Sequence, residues 1–505
     1  MKWRRKLLLA IALLFASLGM LMLLVHVRGL RMWEDYCAQV RAAGDPVRLE
    51  DVIPASVPDA ENVAMAEIFR ELFQDESSAR LAKNSLASVY RRSSDDELIS
   101  TPTGWLVRGE DRYVREWLEF LKGLEKESSR SKPTTLEPPL SLSPNKELQL
   151  RLRQYDSLWD ELSVAVRRPY CRWPLEYQEG ARMKSPHNSS VIKLAPLLKA
   201  RLTAHAACDD TSQYVRDLTT AFSLSRHLSN TQMSMLSTLV ANTFWNTTLN
   251  TMQRTAGAVT LSDAELAMIQ EHASVQALQG LLQALKKDQV LSTDTLLNIN
   301  VNELASLLDG DFGSMLSGQS ERLQKLQATL ILSRPSGWRL GELAARHRES
   351  RTLWKQSVSH DFQYIQTGSL EAIRNRSLQL EENSRWLSYD SMFALAEIVT
   401  PRMFERAAQV QASSNAAVLW CAVERYRLRY ERLPDSLETL APEFVKKVPV
   451  DPMHGGPMRY LKTKSGGYLI YSIGPNGIDD GGQGSGSTRD LDWVWASGPG
   501  LAQND

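Results

Sequence analysis

From Leu7 to Val27 the chain carries no Lys, Arg, Asp or Glu, and no other stretch restricts its folding as tightly. Wound as a helix rising 1.5 Å per residue, this run spans roughly 31 Å, the thickness of a bilayer's hydrocarbon core. Lys2, Arg4, Arg5 and Lys6 precede it, whereas Arg28 and Arg31 beyond it are fewer and are followed by Glu34 and Asp35. That asymmetry predicts a cytoplasmic N-terminus and a body on the other side of the membrane. Ala16, Ser17 and Gly19 are small enough for a signal cleavage site. The apolar run nevertheless continues through Met20–Val27, which favours an uncleaved single-pass anchor.

The rest of the 505 residues has the composition of a folded protein, 43% hydrophobic and 23% charged, enough for roughly two to four domains. Lys+Arg and Asp+Glu both number 59. A net charge of zero gives no basic footprint, so no nucleic-acid partner is expected. Cys37, Cys171, Cys208 and Cys421 form no metal-type spacing. Buried free thiols are the favoured reading over a Cys171–Cys208 disulfide.

The pattern is mainly helical. Arg31–Arg41 extends the anchor helix until Gly44-Asp45-Pro46, and residues 52–62, with Pro54 and Pro58, read as extended chain. Met65, Ile68, Phe69 and Leu72, then Val114, Trp117, Leu118, Leu121 and Leu124, form apolar stripes of helical period. Residues 128–146, rich in Ser and Pro, read as a linker between a membrane-proximal segment (31–127) and a helical body (147–401). The body shows helices near 147–166, 191–207, 212–228, 236–252 and 264–285. Ser262 and Glu265 provide a capping box for the last. No repeat of fixed period is present, so an irregular helical bundle or solenoid-like array is expected. From 289 to 336 helical fragments are broken at Gly310, Gly313 and Gly318.

Residues 402–497 read as a long helix (402–430) and a small β module, with a tail at 498–505 after residues 1–30 as cytoplasmic tip and anchor at the other end. Strands are expected at 458–462 and 468–472 around a Ser465-Gly466-Gly467 turn, and Trp493 and Trp495 close the module after a glycine-rich loop.

This C-terminal fifth resembles the globular part of the major pseudopilin of type II secretion systems. The resemblance rests on Ala422-Val423-Glu424-Arg425-Tyr426, Leu433-Pro434 and Val448-Pro449-Val450-Asp451-Pro452. It continues through Tyr460, Tyr471-Ser472-Ile473-Gly474-Pro475-Asn476-Gly477 and an acidic stretch before Trp493. It implies an α+β module and a candidate Ca²⁺ site among Asp479, Asp480, Asp490 and Asp492, oxygen ligands that suit that ion. In that loop Asn476 stands where the family usually has aspartate, and Asp490 is the matching acidic position. No Gly-Phe-Thr-Leu-x-Glu leader is present and the anchor lies far along the chain from the module, so assembly into a pilus is not expected. The whole layout is similar to a group of membrane-anchored proteins of planctomycete and verrucomicrobial bacteria, through Ile53-Pro54, Val57-Pro58-Asp59, Asn62 and Arg172-Trp173-Pro174-Leu175-Glu176-Tyr177. That likeness implies the bacterial inner (cytoplasmic) membrane and no particular chemistry.

Candidate chemistry is sparse. Ser190-Val191-Ile192-Lys193, Ser413-Ser414-Asn415 and Lys464-Ser465-Gly466 follow the order of the SxxK, SxN and K[ST]G boxes of penicillin-binding proteins, where the lysine helps activate the serine. Ser143-Pro144-Asn145-Lys146 repeats the first box, so chance explains the pattern. The seven histidines from His187 to His454 show no HExxH spacing. Arg172, Trp173 and Tyr177 form an aromatic and cationic cluster of the kind found at binding hot spots, with packing under the helices as the alternative. The expectation is a non-enzymatic envelope scaffold with a protein partner. A secretion-associated component engaging pseudopilins and a serine-type envelope hydrolase are the alternatives.

Overall fold

The computed structural model describes residues 2–74, 101–102, 104–128, 142–230, 234–309, 321–382, 390–484 and 491–498. The chain is mainly helical and ends in one small antiparallel sheet. The anchor and its extension form a single helix, α1 (Lys2–Ala42), long and apolar enough to cross a membrane. It stops where Gly44 adopts a φ of +73°, a left-handed conformation that favours glycine. Short helices α2 (Glu67–Gln74) and α3 (Arg112–Ser128) follow, and their apolar stripes are buried through Ile68, Phe69, Val114 and Trp117. Most of the expected linker, Gly310, Gly313 and Gly318 lie outside the described residues.

The expected helix at 147–166 is two helices, α4 (Pro144–Leu152) and α5 (Asp156–Ala165), separated by a tight 3₁₀ turn at Arg153–Tyr155. Next come α6 (Pro186–Ala207), α7 (Thr211–Asn230) and α8 (Met235–Thr255). The expected helix at 264–285 is also divided, into α9 (Asp263–His272) and α10 (Ala277–Asn298). The Ser262–Glu265 capping box forms at the start of α9, with Ser262 N donating to Glu265 Oε2 at 2.8 Å. Then follow α11 (Val301–Asp309), α12 (Glu321–Ser333), α13 (Ser336–Gln356), α14 (Thr367–Glu382) and α15 (Asp390–Tyr430), which starts earlier than its sequence pattern indicated.

Helix α15 explains the break between α9 and α10. Ser414 Oγ donates to Ala273 O at 2.5 Å and accepts from Val275 N, while Gln411 Oε1 accepts from Leu278 N at 3.2 Å. Two side chains of the spine thus satisfy backbone groups that a continuous helix would pair internally. Beyond α15, strands β1 (Arg459–Lys462), β2 (Tyr468–Ser472) and β3 (Trp493–Ser497) form a meander of order β1-β2-β3. The third strand was not legible beyond its two tryptophans. Asp451 holds the module's loops: its carboxylate accepts from Met453 N, Ser472 Oγ and Ile473 N at 2.7 to 3.0 Å. One continuous apolar core extends from Val63 to Trp495, so the sheet and the helical body share an interior.

At the end of its apolar run, α1 is clamped to α13 at a crossing of three glycines. A Cβ on Gly29 would lie 1.8 Å from Gly337 O, and one on Gly337 would lie 2.0 Å from His26 O. Gly341 faces Gly29 in the same way, at 2.8 Å from its Cα. Small residues at this spacing let two helix backbones touch. His26 Nδ1 accepts from Gly337 N at 3.0 Å and so replaces an N-cap for α13, whose own flanking residue, Pro335, contributes no side-chain bond. Higher up, Arg351 pairs with Asp45 at 3.1 Å and donates to Gln289 Oε1 at 2.5 Å, and Tyr36 donates to that same oxygen.

Gly337→Ala should therefore separate α1 from the body. Overpacking of this kind costs about 1–3 kcal/mol, readable as a lowered urea midpoint of the full chain in detergent. Gly368→Ala, where a Cβ meets nothing within 4 Å, is the matched control.

Candidate functional site

Two concave regions are built from side chains of several elements. The first is a polar cavity of about 240 Å³ between α4, α5, α6 and α7. Its floor is a buried ion network. Arg201 on α6, 1% exposed, donates from Nε to Asp217 Oδ2 at 2.7 Å and from Nη1 to Asp156 Oδ1 at 2.6 Å. Its guanidinium lies 5.5 Å from the centre of the Trp159 ring, and its Nη2 is buried without a partner. Asp217 on α7, wholly buried, faces Arg216 through Oδ1 at 3.3 Å and His205 Nε2 through Oδ2 at 3.2 Å. Arg216 reaches Asp160 at 2.6 Å, and His205 Nδ1 stands 3.8 Å from Asp210 Oδ2.

Burial alone would push the Asp217 carboxyl up, but the close approach of His205 and the charge of Arg201 outweigh that and hold it below the ordinary carboxylate range. Sequence reading missed this cluster. Its signal was present as Arg201 and His205, one helical turn apart on an apolar helix, facing the Arg216-Asp217 pair of the next. The arrangement joins three helices by charge-assisted hydrogen bonds around a polar space wide enough for several waters. Among the described residues, no Ser, Thr, Cys or Lys lines the cavity; its ionisable groups are Asp156, Asp160, Asp210, His205 and arginines.

The second region is a groove of about 580 Å³ where the module meets the body. Strand β3 is an edge of the sheet, and its Ala496 and Ser497 form one wall with Gly498. Trp105, Arg108, Arg254, Trp420 and Arg427 form much of the rest. Arg254 lies 5.8 Å over the Trp105 ring, and Trp420 Nε1 donates to Ser497 Oγ at 3.1 Å. Arg108 and Arg427 keep exposed side chains although each meets a carboxylate, Asp209 and Glu424 respectively.

The residues singled out in the sequence take other places. Trp173 is 2% exposed, stacked on His187 with ring centres 4.2 Å apart and met edge-on by Phe69. Tyr177 is buried and donates to Trp173 O at 2.5 Å. Arg172 donates from Nε to Pro54 O at 3.0 Å, and Asn62 bonds both the N and the O of Arg172 at 2.8 and 2.9 Å. This loop is a strap that fixes the 54–62 segment to the body.

Asp479 accepts from Tyr471 Oη and Gly481 N and pairs with Arg459 at 3.3 Å. Asp480 accepts from Asn476 Nδ2. Asp492 is buried, accepts from Gly482 N at 2.8 Å and leaves Oδ1 without a partner. Burial raises its carboxyl above the ordinary range, and the charges of Asp480 and Asp479 add to that. Asp490 lies outside the described residues, and among these no group of three or more His, Cys, Asp or Glu is placed to hold a metal ion.

Ser190 is wholly buried in α6, Ser414 is engaged between α9 and α10, and Lys464 lies in the turn between β1 and β2. None of the four cysteines forms a disulfide, and Cys37 and Cys421 are buried. Comparison with protein families, with curated proteins and with solved structures returns no match.

Two outcomes are expected. Arg201→Met should lower stability by about 3–5 kcal/mol, because it removes the shortest ion pair of the buried Asp217 carboxylate; adding Asp217→Leu should recover most of the loss. Urea unfolding of the two variants checks the pair.

His187 is pushed down to about 3 by burial, from 6.5. The native state therefore refuses a proton that the unfolded chain accepts between those values. Stability present above pH 6.5 is lost as pH falls, at about 1.4 kcal/mol per unit for each such histidine. His347 adds the same slope, so His187→Phe should remove only its own share of the acid sensitivity between pH 6.5 and 4.5. An unchanged slope would show that His187 gains its proton without unfolding.

Proposed function

We propose that this protein is a membrane-anchored, extracytoplasmic scaffold that presents its C-terminal module to an extended segment of a partner protein. The observation that carries the reading is a groove large enough for a peptide strand, walled by the outer end of β3, the last strand of the sheet, at Ala496–Gly498; deeper in, Val494 O already accepts from Gln253 Nε2. An exposed sheet edge offers unpaired backbone donors and acceptors, and alternate side chains of an added strand fall into flanking pockets. The three arginines and two tryptophans around the groove favour a segment with acidic and apolar positions in alternation. The basic tip of α1 in the cytoplasm and the body outside complete the reading, and a pseudopilin is the first partner to try.

The reading is tested by panning displayed random peptides against the full chain in lipid nanodiscs. Extended peptides with acidic positions should be enriched. Their binding should weaken at least about tenfold, roughly 1.4 kcal/mol, in Arg427→Glu and in Trp105→Ala. Peptides whose affinity ignores both substitutions would remove the groove from consideration, and failure to enrich any extended peptide would remove the scaffold reading itself.

A further inference from the structure

We infer that the corner between α12 and α13 is a second membrane contact, resting on the phospholipid headgroups of the bilayer that α1 enters. The inference depends on α1 spanning the membrane and follows from where the glycine crossing holds the body. Gly337 touches α1 at His26, one residue before the end of the charge-free run. From that level α13 climbs beside α1 in the same direction: Tyr36 meets His347 with ring centres 5.8 Å apart, Gln39 accepts from Arg348, and Asp45 pairs with Arg351. The first turn of α13 and the end of α12 that leads into it therefore stand at the rim of the apolar span.

The side chains exposed there match that position. Trp338, next to Gly337, is 42% exposed, and the Arg334 guanidinium lies 5.6 Å over its ring. On α12, Ala328 and Ile331 are buried against α11 and Leu343, while Leu326 and Leu330, four residues apart, remain 48% and 36% exposed. Arg322 and Lys325 are exposed on the same helix. A tryptophan at the interface and a helix that offers leucines together with basic residues is the pattern of a surface-lying contact. The cations suit the phosphates of anionic lipids.

The test places a photoreactive benzoylphenylalanine singly at Leu330, Trp338, Leu23 and Leu236 of the full chain. Each protein is reconstituted in vesicles of phosphatidylcholine with phosphatidylglycerol, and lipid adducts are measured by mass spectrometry. Leu23 lies inside the apolar run, and Leu236 is exposed on α8. Lipid adducts at Leu330 and Trp338 as well as Leu23, with none at Leu236, are expected. Loss of the adducts at Leu330 and Trp338 in Arg322→Glu/Lys325→Glu is also expected. Adducts at Leu23 alone would overturn the contact while leaving the anchor intact, and protein adducts at Leu330 or Trp338 would make the corner a protein interface instead. Absence of adducts even at Leu23 would overturn the membrane span and this contact with it.

Discussion

The fold depends on burying one helix from almost every side. Between Ala407 and Tyr426 of α15 no residue is exposed. Ala407, Ala408, Ala412, Ala416, Ala417 and Ala422 keep its surface narrow, so α8, α9, α10, β2 and β3 can all approach it. A helix enclosed in this way must also satisfy whatever polar groups it carries. Gln411 and Ser414 do so by terminating α9 and starting α10, Asn415 bonds Val450 O, and Glu424 accepts from the buried Tyr468 Oη at 2.7 Å. Gln411, Ser414, Asn415 and Glu424 are therefore joints that attach other parts of the chain. Body and module are held to one another through these joints, so residues 402–505 in isolation would expose the face that the body covers.

Much of the helical order was legible because amphipathic helices announce themselves by period. The stripes of α2 and α3, the α6–α7 hairpin with its turn at Cys208-Asp209-Asp210, and the capped start of α9 all follow local rules. The two misjudged helices share one cause. The residues at 153–155 and 273–276 contain no glycine or proline, and at the second break it is α15 that satisfies the freed backbone groups. Local propensity cannot see a partner that arrives from 140 residues away, as Ser414 does to Ala273 at a separation of 141. Strand β3 was obscure for a related reason. Its five residues become a strand through pairing with β2, not through alternation of their own.

The residues with chemical character divide in the same way. Arg172, Trp173 and Tyr177 drew attention by composition, and their composition serves the interior. The loop ties Pro54 and Asn62 to the body, which gives the two sequence segments a common structural purpose. Arg201 and Asp217 were overlooked because an isolated charge in an apolar helix looks like a surface residue until its counterion is placed beside it. The groove was beyond reach for the plainest reason: its walls come from four separate parts of the chain, near residues 105, 255, 425 and 497.

On the proposed reading, in which α1 spans a membrane and the groove takes a partner, the glycine crossing between α1 and α13 decides how the two meet. A flexible tether would let the body sweep a broad volume above the bilayer, diluting its groove over many heights and tilts. A clamp that begins one residue before the end of the apolar run removes those degrees of freedom. The groove then travels only in the plane, at one altitude and with one face turned outward. Encounter becomes a two-dimensional search that rewards partners whose own binding segment is carried at the same elevation, and it raises the effective concentration for those alone. On that reading the three glycines act as a ruler: they would set the distance from the membrane at which a partner is caught.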